Sequence, residues 1–146
     1  SRQQAHADWG LLMIDVDDFK IINDEIGHKE GDDVLWNVAD ILRRVFKTDD
    51  VFIARYGGDE FVVCGEWDGR ACMNEIEQRI LQKVEEFNGE KQRGYKLSLS
   101  VGGALWSECG NCEAMLEAAD KKMYEVKQLC KERRKSDCEC GSIYTG

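Results

Sequence analysis

The sequence contains no proline, and it shows no low-complexity segment, no internal repeat and no stretch that resembles a linker. Its 146 residues suit one domain of ordinary size. Apolar residues make up 42% of the chain, which is enough to build a core. We therefore expect a single domain over residues 1–146, cut from a longer chain.

Positive charge is also scarce. Lys and Arg number 20 against 29 Asp and Glu, so the net charge is −9. Non-specific binding to nucleic acid or to an anionic membrane needs a basic face. Neither partner is therefore expected. An acidic protein can still bind a phosphate ligand when a divalent metal ion lies between the two.

Long apolar runs and a regular cysteine framework are missing as well. No run approaches the ~20 residues of a transmembrane helix, and Ser1–Gly10 has no signal-peptide pattern. Seven cysteines cannot all pair within the chain, so we expect a reducing, cytoplasmic setting. The Cys109–Cys112 and Cys138–Cys140 clusters could together hold zinc, but the second spacing is too short for a regular site. Free thiols are the preferred interpretation.

Apolar patterns predict four strands and four helices. Runs rich in apolar residues predict strands at 11–17, 51–56, 60–65 and 95–105. Apolar residues at helical spacing predict helices over about 19–26, 32–46, 73–87 and 115–130. A further short strand at 142–144 is possible. The one hairpin and the mixed element order favour an α/β fold with a mixed, largely antiparallel central sheet flanked by helices.

Local residues also predict how some elements begin and end. Gly27 should end the first helix, and Asp32 can serve as the N-cap of the second. Gly57 and Gly58 stand between two predicted strands, which is the pattern of a two-residue hairpin turn. Glycines also let a ligand approach the backbone closely.

Acidic residues stand where two predicted strands meet these turns. Asp15 and Asp17 end the first strand, and Asp59 with Glu60 begins the third. If the two strands are neighbours, the carboxylates converge, and their ionised state requires a cation. Oxygen ligands at a rigid strand end suit Mg²⁺, which commonly takes one or two carboxylates plus substrate phosphates. Spacing alone explains the same residues equally well as surface acids at a solvated hairpin tip.

Residues 55–61 read RYGGDEF, which resembles the signature of the GGDEF domain, the diguanylate cyclase family. Four more segments resemble motifs of this family in the same order, namely IDVDDFKIIND (14–24), GHKEGD (27–32), LSLSVGGA (97–104) and AADKKMYEVK (118–127). Five motifs at compatible spacing are far more specific than any one of them. The resemblance covers most of the chain, from about Leu11 to Lys131.

This resemblance implies a fold and an activity. The family's fold is similar to the palm domain of polymerases and of class III nucleotidyl cyclases, in agreement with the sheet predicted above. The family joins two GTP molecules into cyclic di-GMP and releases pyrophosphate. Each domain holds one GTP, so the implied partners are GTP and a second copy of the domain. A sensory or regulatory domain is expected in the full-length protein.

The matching motifs also imply site residues. Asp15, Asp59 and Glu60 would be catalytic, with Glu60 helping to organise the site. Two Mg²⁺ or Mn²⁺ ions would be held by Asp15, the backbone carbonyl of Val16 and Asp59. Asn23 and Asp32 would bind the guanine edge of GTP, and Gly57 and Gly58 would let the nucleotide come close. Contacts to the phosphates would come from the following residues: Phe19, Lys20, Lys127 and Lys131.

Several of these residues have a simpler interpretation when each is taken alone. Asp32 could be only an N-cap, Asn23 a solvated helix residue and Lys127 one of many surface lysines. Asp17 could be structural, and we leave it outside the metal site. The motif context favours the functional interpretation of the first three.

Three features depart from the family's pattern. The usual Asp-x-Leu-Thr-Gly-Leu-x-Asn-Arg segment is absent before the first strand, so a piece that helps to order the domain is expected to lie outside this sequence. The last motif usually ends in Gly-Arg-Asn, where Cys130, Lys131 and Glu132 stand here. Lysine lacks the two-pronged grip of arginine on phosphate, which predicts weaker activity. Thr48-Asp49-Asp50-Val51 replaces the Arg-x-x-Asp of the inhibitory product site, so no such site is expected.

Three functions therefore remain open. The leading one is an active diguanylate cyclase, because the signature acids are intact. The alternative is a catalytically weak or inactive module that binds GTP or cyclic di-GMP and regulates an attached domain. A related cyclase that makes another dinucleotide is the third, since Asn23 and Asp32 favour guanine without settling it.

Overall fold

The first apolar run forms the strand around which the sheet is built. In a computed structural model, which describes residues 8–90 and 94–145 without the side chains at 134 and 137–145, strand β1 (Asp8–Val16) has seven consecutive buried residues. The other strands are β2 (Val51–Arg55), β3 (Glu60–Trp67) and β4 (Leu99–Leu105). The four strands lie in the order β2-β3-β1-β4, and all three pairs are antiparallel. The predicted fold class is confirmed.

The helices are α1 (Phe19–Ile21), with a π-helical turn (Ile22–Ile26) after it, α2 (His28–Val45), α3 (Gly69–Glu90), α4 (Trp106–Cys109) and α5 (Cys112–Thr145). None of the helices in the described ranges could cross a bilayer.

Alternation along β1 divides the core into two layers. Leu12 and Ile14 face one side of the sheet, where they pack with helices α2 and α3, whereas Leu11 and Met13 face the other side, where they pack with α5.

Three local predictions are wrong. Four residues, not two, connect β2 to β3, and of the described glycines only Gly27, Gly69 and Gly110 have the positive φ that a tight hairpin turn needs. Asp32 is not an N-cap, because α2 begins at His28 after Gly27. Residues 142–144 belong to α5 and not to a strand, since the helix continues to Thr145.

Helix α5 lies unusually close to β4. A methyl group at Gly102 would lie 2.2 Å from the backbone nitrogen of Met123 and 2.4 Å from the carbonyl oxygen of Ala119. Only glycine allows this approach, because real Cβ atoms do not come within 3.0 Å of such atoms. Gly102 therefore fixes the distance between α5 and the sheet.

We expect Gly102→Ala to lower the free energy of unfolding by about 1–3 kcal/mol, because α5 must move away from β4. The free energy is measured by urea unfolding. Gly89→Ala is the matched control, since a methyl group there meets no atom within 4 Å and alanine stabilises helices by up to about 1 kcal/mol over glycine. Equal stability of the two variants would contradict the packing argument.

Candidate active site

The RYGGDEF segment forms the hairpin between β2 and β3, and Arg55 holds its turn. The Arg55 guanidinium donates hydrogen bonds to the carbonyl oxygens of Gly57 and Gly58, with 2.6 Å from Nη2 to the Gly58 oxygen. A methyl group at Gly58 would meet no atom within 4 Å, so there is open space over this backbone. The sequence analysis missed the role of Arg55, whose only signal was its position before the two glycines.

Antiparallel pairing brings the predicted acids together at one end of the sheet. Asp15 is the cross-strand partner of Glu60, and the N–H of Val16 donates to the carbonyl oxygen of Asp59 at 3.0 Å. Asp15 is 5% exposed, whereas Asp59 and Glu60 are half-buried. We call Asp15, Asp59 and Glu60 the acidic cluster.

Lys127 of α5 contacts the acidic cluster. Its Nζ bonds to Oδ2 of Asp15, while Oδ1 of Asp15 is buried without a hydrogen-bond partner among the described residues. Burial raises the pKa of Asp15 to about 6; Lys127 opposes this rise, and the charge of Asp59 adds to it. A buried carboxylate oxygen that lacks a partner and faces a second carboxylate favours a bound cation.

The same surroundings act on the other two charged groups. Burial raises the pKa of Glu60, and the charges of Asp59 and Asp120 raise it further. Burial alone would lower the pKa of Lys127, but its hydrogen bond to Asp15 and the charges of Asp15, Asp59 and Asp17 leave that pKa above its ordinary value. Lys127 is therefore a cation at neutral pH and compensates part of the negative charge of the cluster.

The carboxylates of the acidic cluster fit a magnesium ion only together with further oxygen ligands from outside the cluster. No group of three or more His, Cys, Asp or Glu side chains that could hold a metal occurs in the part of the chain that the structure describes. Asp15 and Asp59 supply two carboxylates, and Mg²⁺ commonly takes one or two of these plus substrate phosphates. Cys109 and Cys112 are free thiols. The zinc alternative stays untested, because the side chains of Cys138 and Cys140 lie outside the part of the chain that the structure describes.

Asp17 has a structural role that the sequence left open. It is 2% exposed, and its carboxylate accepts hydrogen bonds from the hydroxyl groups of Ser98 and Ser100 at 2.7 and 2.6 Å. These bonds tie the end of β1 to β4. The next residue, Asp18, has a left-handed φ of 58°. The alternation in LSLS, which places Ser98 and Ser100 on one face, was the available signal.

Four of the residues predicted to contact phosphates lie on helices. Phe19 and Lys20 begin α1 directly after the Asp18 turn. Phe19 packs partly against the core, and Lys20 is exposed. Lys131 is exposed on α5, one turn after Lys127. Of the predicted cations, Lys127 is the one that the structure brings into contact with the acidic cluster.

Asn23 lies on the π-helical turn against the start of α2. Its Oδ1 is 3.0 Å from Nδ1 of His28. A methyl group at Gly31 would lie only 2.4 Å from the same oxygen, so the lack of a side chain at Gly31 makes room for Asn23. Because Asp32 follows Gly31 directly, the two residues predicted to bind guanine lie on adjoining turns of backbone.

Asp32 lines a pocket of about 430 Å³ between α2 and the hairpin strands. Arg55 and Phe61, from the RYGGDEF segment, line the same pocket, together with Leu35 and Trp36 of α2. Asp32 itself is exposed to solvent. The structure thus brings the predicted guanine-binding acid to the same cavity as the hairpin.

A polar network that the sequence analysis missed holds α2 beside this pocket. The Tyr95 hydroxyl donates to Oδ2 of Asp33 at 2.7 Å, and Asn37 donates to both groups at 3.1 Å. Asn88 of α3 exchanges two hydrogen bonds of 2.8 Å with the backbone of Leu97. The segment before β4 is therefore fixed to both helices. No local pattern signalled these contacts, because the partners lie 58 and 62 residues apart around Tyr95.

Comparison with known proteins identifies the family. The chain matches the family model described as diguanylate cyclase, GGDEF domain, over residues 1–133. The chain therefore belongs to the GGDEF domain family, which confirms the resemblance found in the sequence.

Individual relatives agree with this assignment. Diguanylate cyclase A of Treponema denticola is 36% identical over 128 residues, which cover 84% of this chain and 33% of the relative. Diguanylate cyclase DosC of Escherichia coli K12 is 33% identical over 142 residues, which cover 90% of this chain and 30% of the relative. The chain thus spans about a third of the length of these curated relatives.

A solved structure confirms the fold. The GGDEF domain of YfiN, also named TpbB, from Pseudomonas aeruginosa is 32% identical and superposes with a TM-score of 0.76. The match covers 87% of this chain and 80% of that one. The sheet and its helices are therefore those of a palm-like GGDEF domain.

We expect Asp15→Asn to flatten the pH dependence of stability in metal-free protein. The folded-state pKa of about 6 lies above the ordinary 3.8, so the folded protein binds a proton in this window that the unfolded chain does not. The free energy of unfolding therefore falls as pH rises from about 4 to about 6. Urea unfolding with a chelator present measures the slope.

Asp68→Asn is the control for this titration, because Asp68 lies beyond the opposite end of β3. The slope that remains in Asp15→Asn comes from other groups such as Glu60 and Glu77, whose pKa values burial also raises. A slope in Asp15→Asn as steep as in the unchanged protein would show that Asp15 does not titrate as described.

Proposed function

We propose that this domain is a diguanylate cyclase that condenses two GTP molecules into cyclic di-GMP. The observation that carries the proposal is the acidic cluster of Asp15, Asp59 and Glu60, with Lys127 beside it, in a chain of the GGDEF family. Asp15 lies on β1 and Glu60 begins β3, while Asp59 directly precedes β3 and is tied to β1 by the hydrogen bond from the Val16 N–H to its carbonyl oxygen.

The acidic cluster is the proposed metal site. Asp15, the carbonyl oxygen of Val16 and Asp59 would hold two Mg²⁺ or Mn²⁺ ions. Such ions polarise phosphoryl groups and stabilise an attacking oxygen. Oδ1 of Asp15, which is buried and has no partner among the described residues, supports this assignment. Glu60, beside Asp15 on β3, would organise the cluster from the neighbouring strand.

The remaining predicted residues would bind the nucleotide. Asn23 and Asp32 would accept and donate hydrogen bonds at the guanine edge, and the pocket of about 430 Å³ beside Asp32 supports a base-sized ligand there. The phosphates and the ribose would lie along the glycine turn and the basic residues of the site: Gly57, Gly58, Phe19, Lys20, Lys127 and Lys131.

The proposed reaction needs two domains that face each other. The 3′ oxygen of one GTP forms a bond to the α-phosphorus of the other, and the bond to pyrophosphate breaks. The hydroxyl proton passes to a carboxylate of the acidic cluster. The same step in the opposite direction closes the ring and releases a second pyrophosphate. One domain holds one GTP, so a homodimer is part of the proposal.

One contact favours the alternative of a regulatory GTP-binding module. Lys127 already bonds to Oδ2 of Asp15, and this oxygen belongs to the proposed metal site. If Lys127 keeps this bond in the presence of nucleotide, one donor is lost and turnover is slow. In either case we propose a cytoplasmic domain that works with an attached sensory domain.

We expect concentrated protein to convert GTP to cyclic di-GMP when Mg²⁺ or Mn²⁺ is present, as measured by chromatography of the products. Asp59→Ala should lower the rate by about 10²-fold or more, because the metal loses a carboxylate. Asp68→Ala, at the far end of β3, should keep the full rate.

Two outcomes would decide against the proposal. GTP binding without any cyclic product would favour the regulatory module, and product formation by Asp59→Ala at the rate of the unchanged protein would refute the metal role. The same assay with added cyclic di-GMP tests the inhibitory site. The rate should not fall with dose, because Thr48-Asp49-Asp50-Val51 lacks the arginine.

We expect Gly31→Ala to weaken GTP binding about tenfold, because the new methyl group displaces the Asn23 side chain. Stability should not fall, since alanine is the better helix former within α2. Titration with GTP and urea unfolding measure the two effects. Asn23→Ala should lose as much affinity, and adding Gly31→Ala to it should cost nothing more. Full affinity in Gly31→Ala would exclude Asn23 from the site.

A further inference from the structure

Trp36 is a large aromatic side chain that the fold leaves uncovered in the middle of α2. Its exposed fraction is 62%, the highest of the four tryptophans, since Trp9 is 54%, Trp106 42% and Trp67 6% exposed. Tryptophan is highly buried on average, and ligand pockets are lined by aromatic side chains. An exposed indole at the wall of a cavity therefore points to a ligand.

Trp36 shares its cavity with Asp32, the acid predicted to bind guanine. The two residues are four positions apart in α2, so their side chains lie on one side of the helix, one turn or about 6 Å apart. Leu35 lies beside them, and Phe61 of β3 adds an apolar wall. The cavity thus presents a carboxylate, an aromatic ring and apolar side chains to one ligand.

The surface on the other side of Trp36 is charged. A second cavity of about 230 Å³ lies between α2 and α3, and Trp36 borders it as well. Arg44 forms an ion pair with Asp40 there. Lys83 forms another with Glu86. Charged residues are depleted from the cores of protein interfaces, so these surroundings favour a small ligand over a protein partner at Trp36.

Hydrogen bonds fix α2 at the position of Trp36. Asn37, the next residue, donates hydrogen bonds of 3.1 Å to Oδ2 of Asp33 and to the hydroxyl oxygen of Tyr95. Tyr95 belongs to the segment before β4, so a rotation of α2 would break the contact between them. A binding group that is held in place before the ligand arrives loses little freedom on binding.

We propose that Trp36 binds the purine base of GTP by stacking its indole ring on the base, beside the carboxylate of Asp32. This inference rests on the proposed function, because it takes the cavity of about 430 Å³ as the base site. Aromatic side chains stack on any base, since every base has a π face. The choice of guanine then falls to Asp32, which accepts hydrogen bonds from N–H donors at the edge of the ring. Trp36 is a binding residue and takes no part in the chemistry at the acidic cluster.

The test compares a ligand that carries the base with a ligand that lacks it. The first is the α,β-methylene analogue of GTP, which cannot release pyrophosphate, and the second is inorganic triphosphate. Isothermal titration calorimetry with Mg²⁺ present measures both affinities. Trp36→Ser should weaken binding of the GTP analogue at least about tenfold, because the stacking is lost, and it should leave binding of triphosphate unchanged.

Two further variants serve as controls. Trp106→Ser should leave both affinities unchanged, because Trp106 borders Leu11 on the α5 side of the sheet. Trp36→Phe keeps an aromatic ring, so it should recover most of the affinity that Trp36→Ser loses. Circular dichroism confirms that each variant folds, which is expected since Trp36 and Trp106 are both exposed.

Fluorescence gives a readout that a purely structural role of Trp36 would not change. A guanine that stacks on an indole quenches its emission, so the GTP analogue should lower the tryptophan fluorescence of the unchanged protein. Trp36→Phe should lose this quenching although it still binds the analogue, whereas Trp106→Ser should keep it.

Equal affinity of Trp36→Ser and the unchanged protein for the GTP analogue would overturn the proposal. So would an equal loss of affinity for triphosphate, because the base would then not be the group that Trp36 contacts. Self-association of the ligand-free protein that Trp36→Ser abolishes would also overturn it, since the indole would then lie at an interface. If the analogue binds as expected but GTP yields no cyclic product, the cyclase proposal fails and the stacking of the base on Trp36 stands.

Discussion

The proximity of Asp15 and Asp59 is the constraint on which the rest of the site depends. The pairing of β1 with β3 continues into the hydrogen bond from the Val16 N–H to the carbonyl oxygen of Asp59. It brings the half-buried Asp59 beside the buried Asp15, and such a pair of carboxylates is costly without a nearby cation. Lys127 meets part of this need from α5. The position of α5 in turn depends on Gly102, where the helix backbone nearly touches β4. The charge balance of the acidic cluster therefore depends on how α5 packs against β4.

The parts of the fold that follow from short-range patterns could be predicted from the sequence. Apolar runs identified all four strands, and Gly57 and Gly58 predicted the antiparallel pairing of β2 with β3. The sequence predicted that Asp15 would meet Asp59 and Glu60 only on the condition that β1 and β3 are neighbours, which the structure shows. Helical spacing identified α2, α3 and α5. Motif order then identified the family, because five motifs constrain each other far more than any single one.

The parts that escaped prediction depend on partners distant in the chain. Asp17 is held by serines more than 80 residues away, and Tyr95 by residues of α2. Alternation along β1 shows which residues share a face, but it does not show how far α5 covers that face. The exposure of Trp9 and Phe52 was therefore visible only in the folded structure. The prediction of Asp32 as an N-cap was wrong, because α2 already begins at His28, directly after Gly27.

The close contact at Gly102 fixes where each residue of α5 lies relative to the sheet. Met123 touches the sheet there, and Lys127 follows four residues later, which is one helical turn or about 6 Å of rise. Adding or removing a single residue between them would rotate Lys127 by about 100° around the helix and point its charge away from Asp15. The number of residues between Met123 and Lys127 is thus as strictly determined as the identity of these two residues, although the spacing itself takes no part in the chemistry.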